Sequence, residues 1–166
     1  MKPLKLGLAI AALGIATGTA YAAGTDRAAI EALEKNKAAA IQAKNVDGIM
    51  ANYLPGNDLI VFDVIPPRQY AGFDAYKKNW TGFVGGCADT PKLEVSDMQI
   101  EGTSSLAFSH SIQHFVCTDP KGQKQDVTLR ATDVYRKVKG KWLIVHEHYS
   151  VPVDLATGKP DTDSKP

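Results

Sequence analysis

Residues 130–152 read RATDVYRKVKGKWLIVHEHYSVP, and the fold turns on this stretch. Two runs rich in β-branched and aromatic residues flank Lys139-Gly140, a turn signal between two alternating strands. Side chains alternate along a strand, so odd and even positions go to opposite faces. On the second run the odd set is Leu143, Val145, Glu147, Tyr149 and Val151, and the even set is Trp142, Ile144, His146, His148 and Ser150. A three-residue turn through Gly140 pairs odd with odd, setting Asp133 near Glu147 and Ala131 near Tyr149. A two-residue turn inverts that match, so the assignment of faces assumes the longer turn.

Working back along the chain, strands are expected over 93–101, 106–117 and 125–138, ahead of the last at 142–151. Gly102 and the Asp119-Pro120-Lys121-Gly122 segment supply the intervening turns. Before them, a helix capped by Asp26 and running to about Lys44 puts Ile30, Leu33, Lys37, Ala40 and Ile41 on one stripe. A short helix over 46–53 ends at Pro55-Gly56, and a buried strand over 59–64 is stopped by Pro66-Pro67. A third helix, Phe73 to about Val84, carries Phe73, Tyr76, Trp80 and Phe83 on one face and ends at Gly85-Gly86. Helices followed by an antiparallel meander predict an α+β domain with the helices on one face of the sheet. Residues 154–166 read as a polar, disordered tail.

The first 22 residues have the order of a secretory signal: Lys2 and Lys5, an apolar run from Leu6 to about Ala16, and Ala20-Tyr21-Ala22. The expectation is an exported protein, periplasmic or secreted, with no membrane span left after cleavage. The chain carries 19 Lys and Arg against 18 Asp and Glu; without Lys2 and Lys5 the balance is 17 to 18. The one clustered basic run, Arg136 to Lys141, falls on the hairpin turn, which argues against nucleic acid as a partner. Two cysteines in an exported chain favour a Cys87–Cys117 disulfide over free thiols or a bond to another chain.

Two side-chain groups carry chemistry. His110, His114, His146 and His148 are all even-numbered and share a face with Arg130 and Ser150. A metal or catalytic histidine site is one reading of them, but flat neighbours on a sheet do not guarantee the convergence a metal needs, so the favoured expectation is a polar–aromatic contact face without a metal. The odd face is apolar but holds Asp133, Glu147, Gln113 and Ser111. Carboxylates there are paired, with Lys37 the obvious partner, or protonated, or at a ligand.

The segment VDGIMANY (46–53), followed by a strand ending in Asp63, resembles the start of ketosteroid-isomerase-like proteins of the nuclear transport factor 2-like superfamily. Residues 130–152 resemble the end of SnoaL-like domains and are similar to the association domain of calmodulin-dependent kinase. The resemblance covers residues 23–153. It implies a cone: a curved antiparallel sheet with three N-terminal helices over its concave face, an elongated pocket, and a homodimer formed through the sheet. By the same resemblance Asp63 stands where isomerases keep their general base, and Asp133 near the protonated acid of their oxyanion hole. Glu147 stands where related epoxide hydrolases keep a carboxylate, and Tyr149 where members line the pocket with an aromatic ring. Lys37 replaces the isomerase oxyanion tyrosine and cannot act as its neutral donor. A cation there suits either a permanent ion pair or a small anionic or carbonyl ligand.

The expected function is binding of a small, partly apolar molecule without a cofactor, the ligand-binding residues being Lys37, Tyr53, Trp80, Gln113 and Tyr149. One alternative is acid–base catalysis of isomerase, hydratase or cyclase type with Asp63 or Glu147 as base and Asp133 as acid. The other is a non-catalytic dimeric interaction domain using Trp142 and the histidine face.

Overall fold

The structure is a computed structural model that describes residues 24–164. The expected leader, residues 1–22, lies outside the described residues.

The amphipathic stripe of the first segment forms α1 (Gly24–Gln42), followed by α2 (Val46–Met50), β1 (Ile60–Phe62), β2 (Tyr70–Ala71) and α3 (Phe73–Gly85). The alternating second half forms β3 (Lys92–Gly102), β4 (Leu106–Thr118), β5 (Lys124–Val138) and β6 (Lys141–Ser150). Asp26 is not the helix cap. It lies in the first turn of α1, where a carboxylate favours the helix dipole, and accepts from Trp142 Nε1 at 3.0 Å and Lys137 Nζ at 2.5 Å.

The six strands make one curved sheet in the order β2-β1-β6-β5-β4-β3. All pairs are antiparallel except β1 with β6, where Val61 pairs with Glu147 and Phe62 with His148. This parallel edge and strand β2 have no signature in the sequence. They bring the chain around Asp63 beside the carboxylate strand.

The β5–β6 turn has two residues, not three: Val138 pairs with Lys141 across Lys139-Gly140, both at positive φ (49° and 82°). Odd therefore pairs with even near the turn, as Tyr135 with Ile144. A bulge between Val134 and Tyr135, which leaves Val145 unpaired, then shifts the register. Beyond it Asp133 pairs with Glu147, Ala131 with Tyr149, Thr132 with His148 and Arg130 with Ser150. The expected odd-with-odd match is reached, by a bulge in place of a longer turn.

The bulge also corrects the position of Trp142. With Ile144 it is buried in the core under α1 and shares no surface with the histidines. On β4 the alternation holds without interruption, burying Ala107, Ser109, Ser111, Gln113, Phe115 and Cys117 toward the helices. Gly102 is required by close approach, since a Cβ there would lie 2.4 Å from the Ala107 Cα.

The tail expected to be disordered, residues 154–166, takes a defined course over its described part. Val153 bridges Pro160, and the Asp161 N–H donates to the Pro152 carbonyl at 2.8 Å. The Thr128 N–H donates to the Thr162 carbonyl at 2.7 Å. β6 stops opposite Arg130, so residues 124–129 of β5 have a free edge on that side, and the returning chain covers part of it.

Cys87, just past α3, is joined to Cys117 of β4. The bond ties the end of α3 to the sheet beside the Phe83–Phe115 contact (centroids 4.8 Å apart). It closes a 30-residue separation, which the chain-entropy account values at about 3–4 kcal/mol. The Cys87→Ser, Cys117→Ser double variant is expected to stay folded but to lose stability of that order, read as a lower urea midpoint, with a slope that rises if anything because the freed unfolded chain exposes more surface.

Candidate functional site

Lys37 points from the middle of α1 into the sheet and is 1% exposed. Its ammonium lies 2.8 Å from Glu147 Oε1, 3.0 Å from Glu34 Oε2 and 3.5 Å from Asp133 Oδ1. Glu147, wholly buried, also accepts from the hydroxyls of Tyr53 (2.8 and 2.9 Å), Tyr76 (2.5 Å) and Tyr149 (3.0 Å). Tyr135 donates to Glu34 at 2.9 Å and shares a hydrogen bond with Ser109. Helices α1 and α3 and strands β4, β5 and β6 thus converge on one network.

Proton positions follow from this geometry. Burial alone would push the Lys37 pKa down, but Asp133, Glu147 and Glu34 outweigh it and hold the pKa well above the ordinary lysine range. Burial would likewise raise Glu147, yet Lys37 and the donors around it hold its pKa below the usual value. Asp133 goes the other way: burial raises it well above the carboxylate range, Lys37 only partly offsets this, and Glu34 and Glu147 raise it further. The contacts thus favour an ammonium facing an ionised Glu147, with Asp133 the member of the network inclined to keep its proton.

A separate cavity of about 340 Å³ lies between α3 and the inner face of the sheet. Ile41, Trp80, Phe83, Leu93, Phe115, Val127 and Leu129 make its apolar walls, and Asp63, Asn79, Gln113, Tyr76 and Tyr149 its polar points. Pro160 and Thr162 of the returning C-terminal segment close one side. Val64 and Ile65, 40% and 44% exposed, form a wall that also meets solvent. The volume falls within the range of roughly 300–1,000 Å³ common to small-molecule pockets.

Asp63 follows β1 and enters this cavity. Its Oδ1 accepts from the Val64 N–H at 2.7 Å and its Oδ2 from Asn79 Nδ2 at 2.9 Å. Burial raises its pKa, with repulsion from Glu147 adding to the effect and the two hydrogen bonds opposing it. A carboxylate in that state can accept a proton or pair with a cation. Trp80 Nε1 is buried with no hydrogen-bond partner among the described residues.

The structure thus divides the expected site. Asp63, Trp80, Gln113 and Tyr149 line the cavity. Lys37, Tyr53, Asp133 and Glu147 do not, being locked in the network behind the hydroxyls of Tyr76 and Tyr149. Lys37 therefore fits the ion-pair expectation and is not placed to hold an anionic ligand. On the other face, His110, His148 and Arg130 are exposed and His146 and Ser150 half-buried. His114 bonds Asp126 at 2.8 Å, and His146 Nδ1 bonds the Ile60 carbonyl at 2.8 Å. Among the described residues no group of three or more His, Cys, Asp or Glu is placed to hold a metal ion.

Four of the participants had no place in the expected site: Glu34, Asn79, Pro160 and Thr162. Glu34 was legible as a carboxylate one helical turn before Lys37. Asn79 lies three residues after Tyr76, on the same side of α3. Pro160 and Thr162 carry no sequence signal, because their place depends on the free edge of β5.

A family model described as a SnoaL-like domain matches residues 30–154. The chain belongs to the SnoaL-like domain family. A crystal structure of an NTF2-like protein of unknown function from Pseudomonas putida KT2440 is 29% identical, covering 87% of this chain and 99% of that one at a TM-score of 0.78. An NTF2-like superfamily protein from Salmonella enterica serovar Typhimurium LT2 is 20% identical, covering 83% of this chain and 100% of that one (TM-score 0.70). A candidate scytalone dehydratase from Novosphingobium aromaticivorans DSM 12444 is 19% identical, with coverage of 78% and 85% and a TM-score of 0.70. The last two likenesses show the fold alone. A search of curated proteins finds no match. The match of this SnoaL-like domain to the family stops at residue 154, before Pro160 and Thr162, which close the cavity.

The network yields a pH prediction. The folded protein holds the Asp133 proton to higher pH than the unfolded chain does. That contribution is complete in acid and declines as pH climbs through the folded pKa. Asp133→Asn removes the titration, so the stability of the variant relative to the wild type is expected to rise between pH 5 and pH 8. Urea unfolding at the two pH values measures this.

Proposed function

We propose that this SnoaL-like domain is exported and binds a small, largely apolar molecule that carries no negative charge. The observation that supports this most directly is the cavity. It is of small-molecule size and mainly apolar, and among the described residues no Lys, Arg or His lines it. Lys37, the one buried cation among the described residues, already sits among the carboxyl groups of Glu34, Asp133 and Glu147. The leader-like order of residues 1–22 supports export, as does a disulfide, which persists in oxidising compartments. A homodimer through the outer face of the sheet is part of this reading, supported by the exposure of Phe62, Leu106 and Phe108 there.

Thermal melting with 2-phenylethanol as a neutral apolar probe tests the binding reading. The midpoint is expected to rise with probe concentration, as for any ligand that binds only the folded state. Val127→Trp, which fills the cavity from β5, is expected to melt cooperatively without that rise. A wild-type midpoint indifferent to the probe would count against the cavity as a binding site.

A second reading, acid–base catalysis, is favoured by one feature: a carboxylate of raised pKa standing in the cavity. On this reading Asp63 is the base, and Glu147 with Asp133 positions Tyr76 and Tyr149. Loss of water from a neutral hydroxy-ketone, followed by the absorbance of the conjugated product, is the assay. Asp63→Asn is expected to lower kcat by about 10²–10⁴-fold.

A further inference from the structure

Each of the four buried carboxylates has a lysine. Asp26 has Lys137, while Glu34, Asp133 and Glu147 share Lys37. Asp63, which reaches into the cavity, has none: among the described residues no basic side chain forms an ion pair with it. Its partners are one backbone N–H and one amide, both neutral. A carboxylate drawn partly out of water with neutral donors alone keeps an unbalanced charge, and a cation beside it is the most direct compensation.

Two of the other polar points of the cavity have the same sense. Tyr76 and Tyr149 give their hydroxyl protons to Glu147 at 2.5 and 3.0 Å, leaving only lone pairs for a ligand. One amide N–H of Asn79 is spent on Asp63. The cavity therefore offers one formal negative charge and, among the described residues, no cation, beside acceptors from the two tyrosines and donors from the unpaired Trp80 Nε1 and the Gln113 and Gln125 amides. Its remaining walls include the aromatic faces and edges of Trp80, Phe83 and Phe115, which suit an apolar body and attract a nearby cation.

We propose that the ligand of this cavity is a protonated amine on an apolar or aromatic body, with its ammonium paired to Asp63 and its body against Trp80, Phe83 and Phe115. The proposal rests on the binding reading above and adds the charge of the ligand to it. Asp63 shares its wall with Val64 and Ile65, the part of the lining that meets solvent. The charged end thus sits toward water and the apolar end inward, which keeps the desolvation of the ammonium small.

The test is equilibrium binding to the folded chain of three probes of similar size: 2-phenylethylamine, 2-phenylethanol and phenylacetate. Calorimetric titration at neutral pH is expected to show the amine binding at least tenfold tighter than the alcohol, with phenylacetate weakest. In Asp63→Asn the amine-to-alcohol ratio is expected to fall to near one, circular dichroism serving as the check on folding. Should Asp63→Asn fail to fold, Asn79→Leu, which leaves the carboxylate in place, must retain the preference for the amine. An alcohol or phenylacetate that binds the wild type as tightly as the amine does overturns the charge assignment alone, as does an amine preference that survives Asp63→Asn. Absence of binding by all three probes overturns the binding reading and this proposal with it.

Discussion

The ammonium of Lys37 is the point on which the rest of the molecule is arranged. Taking a charge out of water costs several kcal/mol even after relaxation, and removing one partner of a buried pair leaves that cost uncompensated. Lys37 is inside because Glu147, Glu34 and Asp133 are placed around it by two strands and its own helix. Glu147 in turn accepts from three tyrosines, two of which also wall the cavity. Helix α1, helix α3 and the β5–β6 pair are thereby held in one relative position, more specifically than apolar packing alone would hold them.

That arrangement requires Asp133 and Glu147 on the same face of the sheet, which the hairpin turn by itself would prevent. A two-residue turn sets odd against even, and the bulge at Val145 undoes it within a few residues. The same bulge carries Trp142 and Ile144 into the core under α1 while leaving His146 and His148 on the other face. One unpaired residue thus decides which half of the HEHYS segment faces the helices.

The network and the cavity divide the polar chemistry of the inner face. The carboxyl groups that reach Lys37 share its one charge and are enclosed, and Glu147 and Glu34 hold tyrosine hydroxyls in fixed orientation. Asp63 arrives from a different direction, on the chain that leaves the short parallel strand β1, and stays outside the network. The cavity thereby contains a carboxylate without a cation among aromatic walls, a combination defined by what the neighbouring lysine is already bound to.

The fold was largely legible before any coordinates. Helical stripes, period-two alternation and glycine punctuation located α1 to α3 and β3 to β6 to within a few residues, because local periodicity encodes which face is buried. The separation of the histidines onto the other face was also legible, through alternation, whereas the pairing of Asp133 with Glu147 was read from a three-residue turn and is reached instead by a two-residue turn and a bulge. What the sequence could not convey is anything that depends on two distant segments meeting. The parallel β1–β6 edge, the bulge, and the closing of Lys37 upon its carboxylates are of this kind, as is the return of residues 152–162 along the free edge of β5. Composition and spacing showed that buried charges needed partners, but only the tertiary structure decided that Lys37 serves Glu147, Glu34 and Asp133 and leaves Asp63 alone. The physical reason is reach: an ammonium pairs with the carboxylates within about 4 Å of it, and chain order does not determine that distance.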